Sequence, residues 1–196
     1  MTGLRERKKA ATREALGDAA WSMCVEHGLD GVTVEQIARA AGVSLRTFFN
    51  YFSSKEEAVM AGDTLAAETF VREFAARPPG EPVPVAVREA LHSLYQEHVD
   101  LDRLRKLREL RRHPALLPHV FAAYSAREQE LAAAISARSG VDASVDPYPA
   151  MAASMILTSL RAVVQWWLDT PAASSRYTAA ELIERMIDQL GGGITR

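Results

Sequence analysis

Between Ser44 and Lys55 the chain reads SLRTFFNYFSSK, and this stretch holds the side chains best suited to chemistry on a nucleic acid. Arginine can grip the O6 and N7 edge of guanine, asparagine can pair with N6 and N7 of adenine, and hydroxyls hold phosphates. At about 100° per helical residue, Arg46, Thr47, Asn50 and Tyr51 fall on one side and Leu45, Phe48, Phe49 and Phe52 on the other. That separation fits a helix seated with its polar side in a duplex groove. It fits equally well an ordinary amphipathic helix that shows its polar side to water.

Other chemistries find less support. The histidines His27, His92, His98, His113 and His119 include no i, i+3 or i, i+4 pair, so no helix offers two imidazoles to one ion and no metal is expected. Glycine-rich phosphate loops, nucleophile elbows and HExxH motifs are missing, so neither catalytic residues nor a cofactor are expected. One cysteine, Cys24, makes neither an intrachain disulfide nor a cysteine metal cage and points to a reducing, cytoplasmic setting. The N-terminal MTGLRERKKAATRE lacks the apolar core of a signal peptide. Residues 150–168 are strongly apolar, but Arg161 lies near their middle among Ser154, Thr158, Ser159 and Gln165, which favours a helix buried on most sides over a membrane span.

The elements around the SLRTFFNYF stretch are helical by period. Leu16, Ala20 and Met23 mark a first helix from about Leu4 to Glu26. Thr33 with Gln36 forms a capping box for a helix from Val34 to Ala41, and Gly42 ends it. Ser44 caps a third helix, Leu45 to Phe52, and Ser54 with Glu57 opens a long helix to about Arg77. Two short helices joined by a tight glycine turn have helix-turn-helix proportions. PPGEPVP, Pro78 to Pro84, breaks the pattern, and further helices are expected at about 85–100, 101–112, 115–138, 147–169 and 179–190. The last carries a capping box of Thr178 and Glu181. Alternating strand patterns do not occur, so the expected fold class is all-α, with a three-helix head followed by a helical bundle.

Charge is unevenly distributed. The net charge is −2, but residues 1–55 carry eight Lys/Arg against six Asp/Glu, with Arg5, Arg7, Lys8, Lys9 and Arg13 crowded at the start. A partner bearing phosphates would suit that run, although a charge run is more often a solvated helix face.

TVEQIARAAGVSLRTFFNYFSSKEEAV, Thr33 to Val59, resembles the DNA-binding segment of the TetR family of bacterial transcriptional regulators, and Glu26-His27-Gly28 with Gly31 matches its lead-in. The resemblance covers roughly the first 60 residues. It implies that Thr33 to Ala41 supports a recognition helix from Ser44 to Phe52, and that Thr33, Ser44, Leu45, Arg46, Thr47, Asn50, Tyr51 and Lys55 face bases or phosphates. Phe49 departs from the family pattern, which commonly has tyrosine there; a phenylalanine cannot donate to a phosphate, although its ring can pack on sugar or a thymine methyl. The implied division is a DNA-binding domain, residues 1–53, and a ligand-binding and dimerisation domain, residues 54–196. TFFNYFSSKEEAV, LRELRRHPALLPHV and the tryptophan-containing penultimate helix also resemble a subgroup associated with acyl-CoA-like ligands, to which the regulator of the mycofactocin system belongs.

The expected function is a homodimeric, ligand-responsive repressor on a pseudo-palindromic double-stranded DNA operator. The alternatives are a small all-α enzyme or carrier with an incidental helix-turn-helix, and an architectural DNA binder. The apolar helix Met151 to Leu168 and the stripe Leu182, Ile183, Met186, Ile187 and Leu190 are expected to pair with their copies. Arg111 sits within an arc of leucines, Leu101, Leu104, Leu107 and Leu110, where it either pairs with a carboxylate such as Glu97 or Asp102 or holds the anionic end of an effector. The apolar part of that effector is assigned to Leu107, Phe121, Tyr124 and Met155.

Overall fold

The computed structural model describes residues 3–63, 65–95 and 101–192. Among them every regular element is helical. In chain order these are α1 (Gly3–His27), α2 (Val34–Ala40), α3 (Leu45–Phe49), α4 (Lys55–Asp63), α5 (Leu65–Ala76), α6 (Val83–Tyr95), α7 (Leu101–Arg111), a 3₁₀ turn (Pro114–Leu116), α8 (Leu117–Ser139), α9 (Tyr148–Asp169), α10 (Pro171–Arg176) and α11 (Ala179–Gly192). The short α10 is not marked by any periodicity. α3 is shorter than its pattern, because Asn50 and Tyr51 donate to the carbonyls of Thr47 and Phe48, at 3.1 and 2.9 Å, and tighten the chain into an i to i−3 turn. Of the long helix expected over 54–77, the described residues form α4 and α5, with Thr64 outside them.

Two compact units emerge. The first joins Met1–Leu65 to Asp102–Ala123, and the second joins Ala66–Leu101 to Tyr124–Arg196. This division of packing differs from the functional division drawn at 53/54, because α4, most of α7 and the 3₁₀ turn pack with the N-terminal helices.

In the first unit α1 lies against α4 and α2, and α2 against α3. Its core buries Leu16, Ala20 and Cys24 of α1, Ile37 and Ala38 of α2, Phe48 and Phe52, Ala58 and Val59 of α4, and Leu116. In the second unit the core gathers Phe70 and Phe74 of α5, Val87 and Leu91 of α6, Leu131 and Ile135 of α8, Ile156 of α9, and Ile183, Met186 and Ile187 of α11.

The α11 stripe therefore corrects an expectation. Leu182, Ile183, Met186 and Ile187 are buried within their own unit, where α11 packs on α6 and α9. The outward side of α11 is polar, with Glu181, Arg185, Asp188 and Gln189 exposed. On α9, by contrast, Tyr148, Met151, Met155 and Trp166 stand uncovered. An ion-pair seam ties α6 to α11: Arg88 reaches Glu184 at 2.9 Å and Asp188 at 2.8 Å, and His92 Nε2 lies 2.7 Å from Glu184.

Arg138 shows how distant residues close the PPGEPVP turn. Its guanidinium donates to the carbonyls of Phe74 (3.0 Å), Arg77 (2.9 Å), Pro78 (2.7 Å) and Glu81 (3.3 Å) and lies 5.0 Å from the Phe74 ring centroid. The last carbonyls of α5 lack partners within the helix, and a cation at the negative end of the helix dipole is the favourable way to satisfy them. Trp167, buried on α9, donates its indole N–H to the Tyr177 carbonyl at 2.9 Å and so fixes the chain as it leaves α10. No helix among the described residues is long and apolar enough to cross a membrane.

Candidate nucleic-acid interface

The helix-turn-helix is built by local bonds that its residue types specify. Thr33 Oγ1 accepts the Gln36 N–H at 3.3 Å, and the Gln36 carboxamide accepts the Thr33 N–H at 2.8 Å. α2 ends on Gly42, whose φ of +69° lies in the left-handed region that favours glycine. Val43 then donates to Ala38 at 2.9 Å and Gly42 to Arg39 at 3.0 Å, which closes the turn. Ser44 Oγ accepts the Thr47 N–H at 3.1 Å and lies 2.8 Å from the Thr47 hydroxyl. The hydroxyls of Thr33 and Ser44 thus serve as caps; Thr33 keeps its proton for a phosphate, and the Ser44–Thr47 pair, which shares one proton between its two oxygens, keeps one more.

Phe48 and Phe52 anchor α3, both buried, with ring centroids 5.8 Å apart. Phe49 does not join them inside. It meets the Phe48 ring edge-on at 5.4 Å and stands 54% exposed, while Leu45, four residues before it, is 38% exposed. The helical wheel's single apolar side is therefore split: Phe48 and Phe52 form the core, and Leu45 with Phe49 forms an uncovered apolar ridge. Arg46 and Asn50 are exposed, Thr47 and Tyr51 half-buried. Leu45, Arg46, Phe49 and Asn50 together make a mixed surface of one cation, one amide and two apolar groups, as base edges with thymine methyls would require.

Lys55 stands where sequence reasoning did not place it. Its ammonium donates to the carbonyls of Leu29 at 2.7 Å and Val32 at 3.0 Å, so it ties the start of α4 to the loop between α1 and α2. Two of its three donors are spent on the fold, which leaves one for a phosphate. Glu57 adds a second tie: the backbone N–H of Ser53 donates to its carboxylate at 2.8 Å, as does the Ser53 hydroxyl, and the backbone bond holds its pKa below the usual carboxylate range. Cys24 is buried, and that burial pushes its thiol up to about 11, so it is no nucleophile.

Arg13 of the basic N-terminal run also has a place that the sequence did not give it. Its guanidinium lies 5.0 Å from the centroid of the Phe52 ring and adds to the field that keeps Glu57 ionised. At the other edge of this unit His113 Nδ1 accepts the Ala115 N–H at 3.3 Å. Nε2 is then the donor, and it faces the Asp30 carboxylate at 3.3 Å, linking the 3₁₀ turn to the loop before α2.

The effector candidates are more scattered. The Leu107 side chain, and the carboxylates of Glu97 and Asp102, lie outside the described residues. Arg111 is half-buried, and Phe121 is 65% exposed; both belong to the first unit. Tyr124 and Met155 belong to the second, where the Arg161 guanidinium lies 5.3 Å from the Tyr124 ring and Met155 is exposed beside Met151. No cluster of three or more metal-ligating side chains occurs among the described residues.

Residues 16–59 match the family model of bacterial regulatory proteins of the tetR family, and residues 78–195 match that of the MftR C-terminal domain. The chain is 32% identical over 173 residues to the HTH-type transcriptional regulator TcmR of Streptomyces glaucescens, covering 84% of this chain and 76% of that one. It is 24% identical over 196 residues to the putative mycofactocin biosynthesis transcriptional regulator MftR of Mycobacterium tuberculosis, covering 97% and 94%. Among solved structures, Thermus thermophilus FadR, a repressor in complex with lauroyl-CoA, superposes with a TM-score of 0.60 at 23% identity, covering 94% of this chain and 95% of the other.

Proposed function

The chain belongs to the TetR family of bacterial transcriptional regulators, and from that premise we propose that it is a cytoplasmic homodimeric repressor whose grip on a pseudo-palindromic operator is released by an acyl-CoA-like effector. The observation that carries the DNA half of this reading is the exposed ridge Leu45–Phe49 beside Arg46 and Asn50. A half-exposed phenylalanine on a helix capped at Ser44 and anchored by Phe48 leaves apolar area in water in the isolated head, and it fits a groove that covers it. We assign base reading to Arg46 and Asn50, apolar contacts to Leu45 and Phe49, and phosphate contacts to Thr33, Ser44, Thr47, Tyr51 and the remaining donor of Lys55. Residues 1–53 serve DNA binding, and 54–196 serve ligand binding and dimerisation.

Two copies pair, in this reading, through their last long helices, with α9 supplying the apolar contact. Met151 and Met155, at i and i+4, and Trp166 are exposed on α9, whereas the α11 stripe is already covered. Met155 accordingly suits the interface better than an effector site. Arg111 remains the candidate for the anionic end of the effector, with Leu107 and Phe121 as candidates for its apolar part. The effector class rests on the match to the MftR C-terminal domain and on the lauroyl-CoA bound to Thermus thermophilus FadR. Release follows from linkage: an effector frees DNA only if it prefers a conformation in which the two α3 helices no longer match the half-sites.

The direct test is retardation of the duplex upstream of this protein's own coding sequence, followed by titration with acyl-CoAs of increasing chain length. Preferential binding and release at low effector concentration are expected. Binding that no acyl-CoA reverses would remove the effector class, and absence of preference for that duplex over an unrelated one would remove an operator from that stretch.

A further inference from the structure

The stripe of α1 that packs into the head does not stop where the head stops. Leu16, Ala20 and Cys24, spaced by four, are almost wholly buried. At about 100° per residue, Arg13 and Lys9 fall within about 20° of the centre line of that stripe, and both are exposed. One helical face is thus apolar from Leu16 onward and cationic before it, apart from Glu6 one turn beyond Lys9. Lys8, about 120° round α1 from that centre line, is exposed and belongs to the solvated surface.

Arg13 fixes where the cationic part of that face looks. Its guanidinium lies over the ring of Phe52, three residues past the end of α3. Lys9 follows about 6 Å further along the same face at 1.5 Å of rise per residue. A stripe that changes from apolar to cationic as it runs past the α3 end changes what it meets, from protein core to anionic partner. These residues lie outside the 16–59 segment shared with the family model. We propose that Lys9 and Arg13 form a second contact to duplex DNA, on the phosphate backbone flanking the base pairs that α3 reads. The proposal rests on the DNA-binding reading above.

A phosphate contact reads no sequence and releases counterions, which makes it separable from base reading. Lys9→Gln is compared with Lys8→Gln, which removes the same charge from a position about 100° round the same helix, off the cationic face, at the same cost in helix propensity. Binding is measured between 50 and 200 mM salt to the protein's own upstream duplex and to an unrelated duplex of equal length. Lys9→Gln is expected to weaken both duplexes by a similar factor and to lower the slope of log affinity against log salt by about 0.9 per contact, or about 1.8 for a dimer. The mutant's deficit should then shrink about tenfold across that salt range, while Lys8→Gln keeps the slope of wild type. Equal effects of the two variants would show diffuse attraction and overturn the proposal, as would an unchanged slope for Lys9→Gln when wild type binds. Wild type that binds neither duplex would overturn the DNA-binding reading itself and this contact with it.

Discussion

Gly17 of α1 and Gly62 of α4 are in backbone contact: a Cβ built on Gly62 would collide with the Gly17 carbonyl oxygen and come within 2.7 Å of Trp21 Cβ. α1 and α4 can approach this closely only because both positions lack a side chain. The contact sets how α4 lies against the helix that carries the core of the DNA-binding head.

Gly62→Ala should therefore destabilise the head by about 1–3 kcal/mol through overpacking, although alanine is favoured over glycine in a helix by about 1 kcal/mol. Denaturant melts monitored in the far ultraviolet decide between the two terms. A stabilised variant would mean that α4 shifts freely along α1, and the close contact would then have no energetic role.

Lys55→Met removes two charge-assisted bonds to Leu29 and Val32 carbonyls, and a stability loss of about 1.5–3 kcal/mol is expected. If the third donor reaches a phosphate, the salt slope of DNA binding should fall as well. A variant that melts like wild type and loses only DNA affinity would assign Lys55 wholly to the phosphate.

Phe49 and Phe48 are adjacent and should answer differently. Phe49→Ser, at an exposed site, should change stability by no more than about 0.5 kcal/mol and still weaken operator binding, whereas Phe48→Ala should cost about 3–5 kcal/mol of fold stability. Phe49→Tyr supplies a hydroxyl and should tighten binding to all duplexes. Arg46→Ala should cost about 1–3 kcal/mol of affinity and relax preference at one base pair per half-site. Equal loss of specific and non-specific binding in Arg46→Ala would transfer Arg46 to the phosphates.

Trp166→Glu and Met186→Glu separate interface from core. The first places a charge on the exposed side of α9 and should yield folded monomers in sedimentation. The second buries a charge beside Ile183 and Ile187 and should unfold the second unit rather than divide a dimer. Folded monomers from Met186→Glu would return the interface to the α11 stripe.

Arg111→Ala should leave DNA affinity nearly intact while weakening release by acyl-CoAs by roughly 10- to 150-fold, the equivalent of a charge-assisted contact worth about 1.5–3 kcal/mol. Titration of the preformed complex reads this directly. Unchanged release would take the anionic end of the effector away from Arg111.

Much of this was legible in the chain itself, because it depends on residues three or four apart. The capping boxes Thr33–Gln36 and Thr178–Glu181, the cap at Ser44 and the glycine stop at Gly42 all form as their residue types demand. Their bonds close within one turn and need no distant partner. The helix-turn-helix and the all-helical class follow from the same local rules.

What tertiary structure decided is which side of each helix is covered. Leu45, Phe48, Phe49 and Phe52 share one side of a helical wheel, yet only Phe48 and Phe52 are covered. The α11 stripe looks like an unpaired face until α6 and α9 cover it. Lys55 reads as a surface cation until carbonyls 23 and 26 residues away accept its hydrogen bonds, and Arg138 finds its acceptors 57 to 64 residues away. Hydrophobic periodicity gives the direction of a side chain about its own helix axis. Burial and hydrogen-bond partners depend on what another element places there, and that is settled only when helices far apart in sequence pack together.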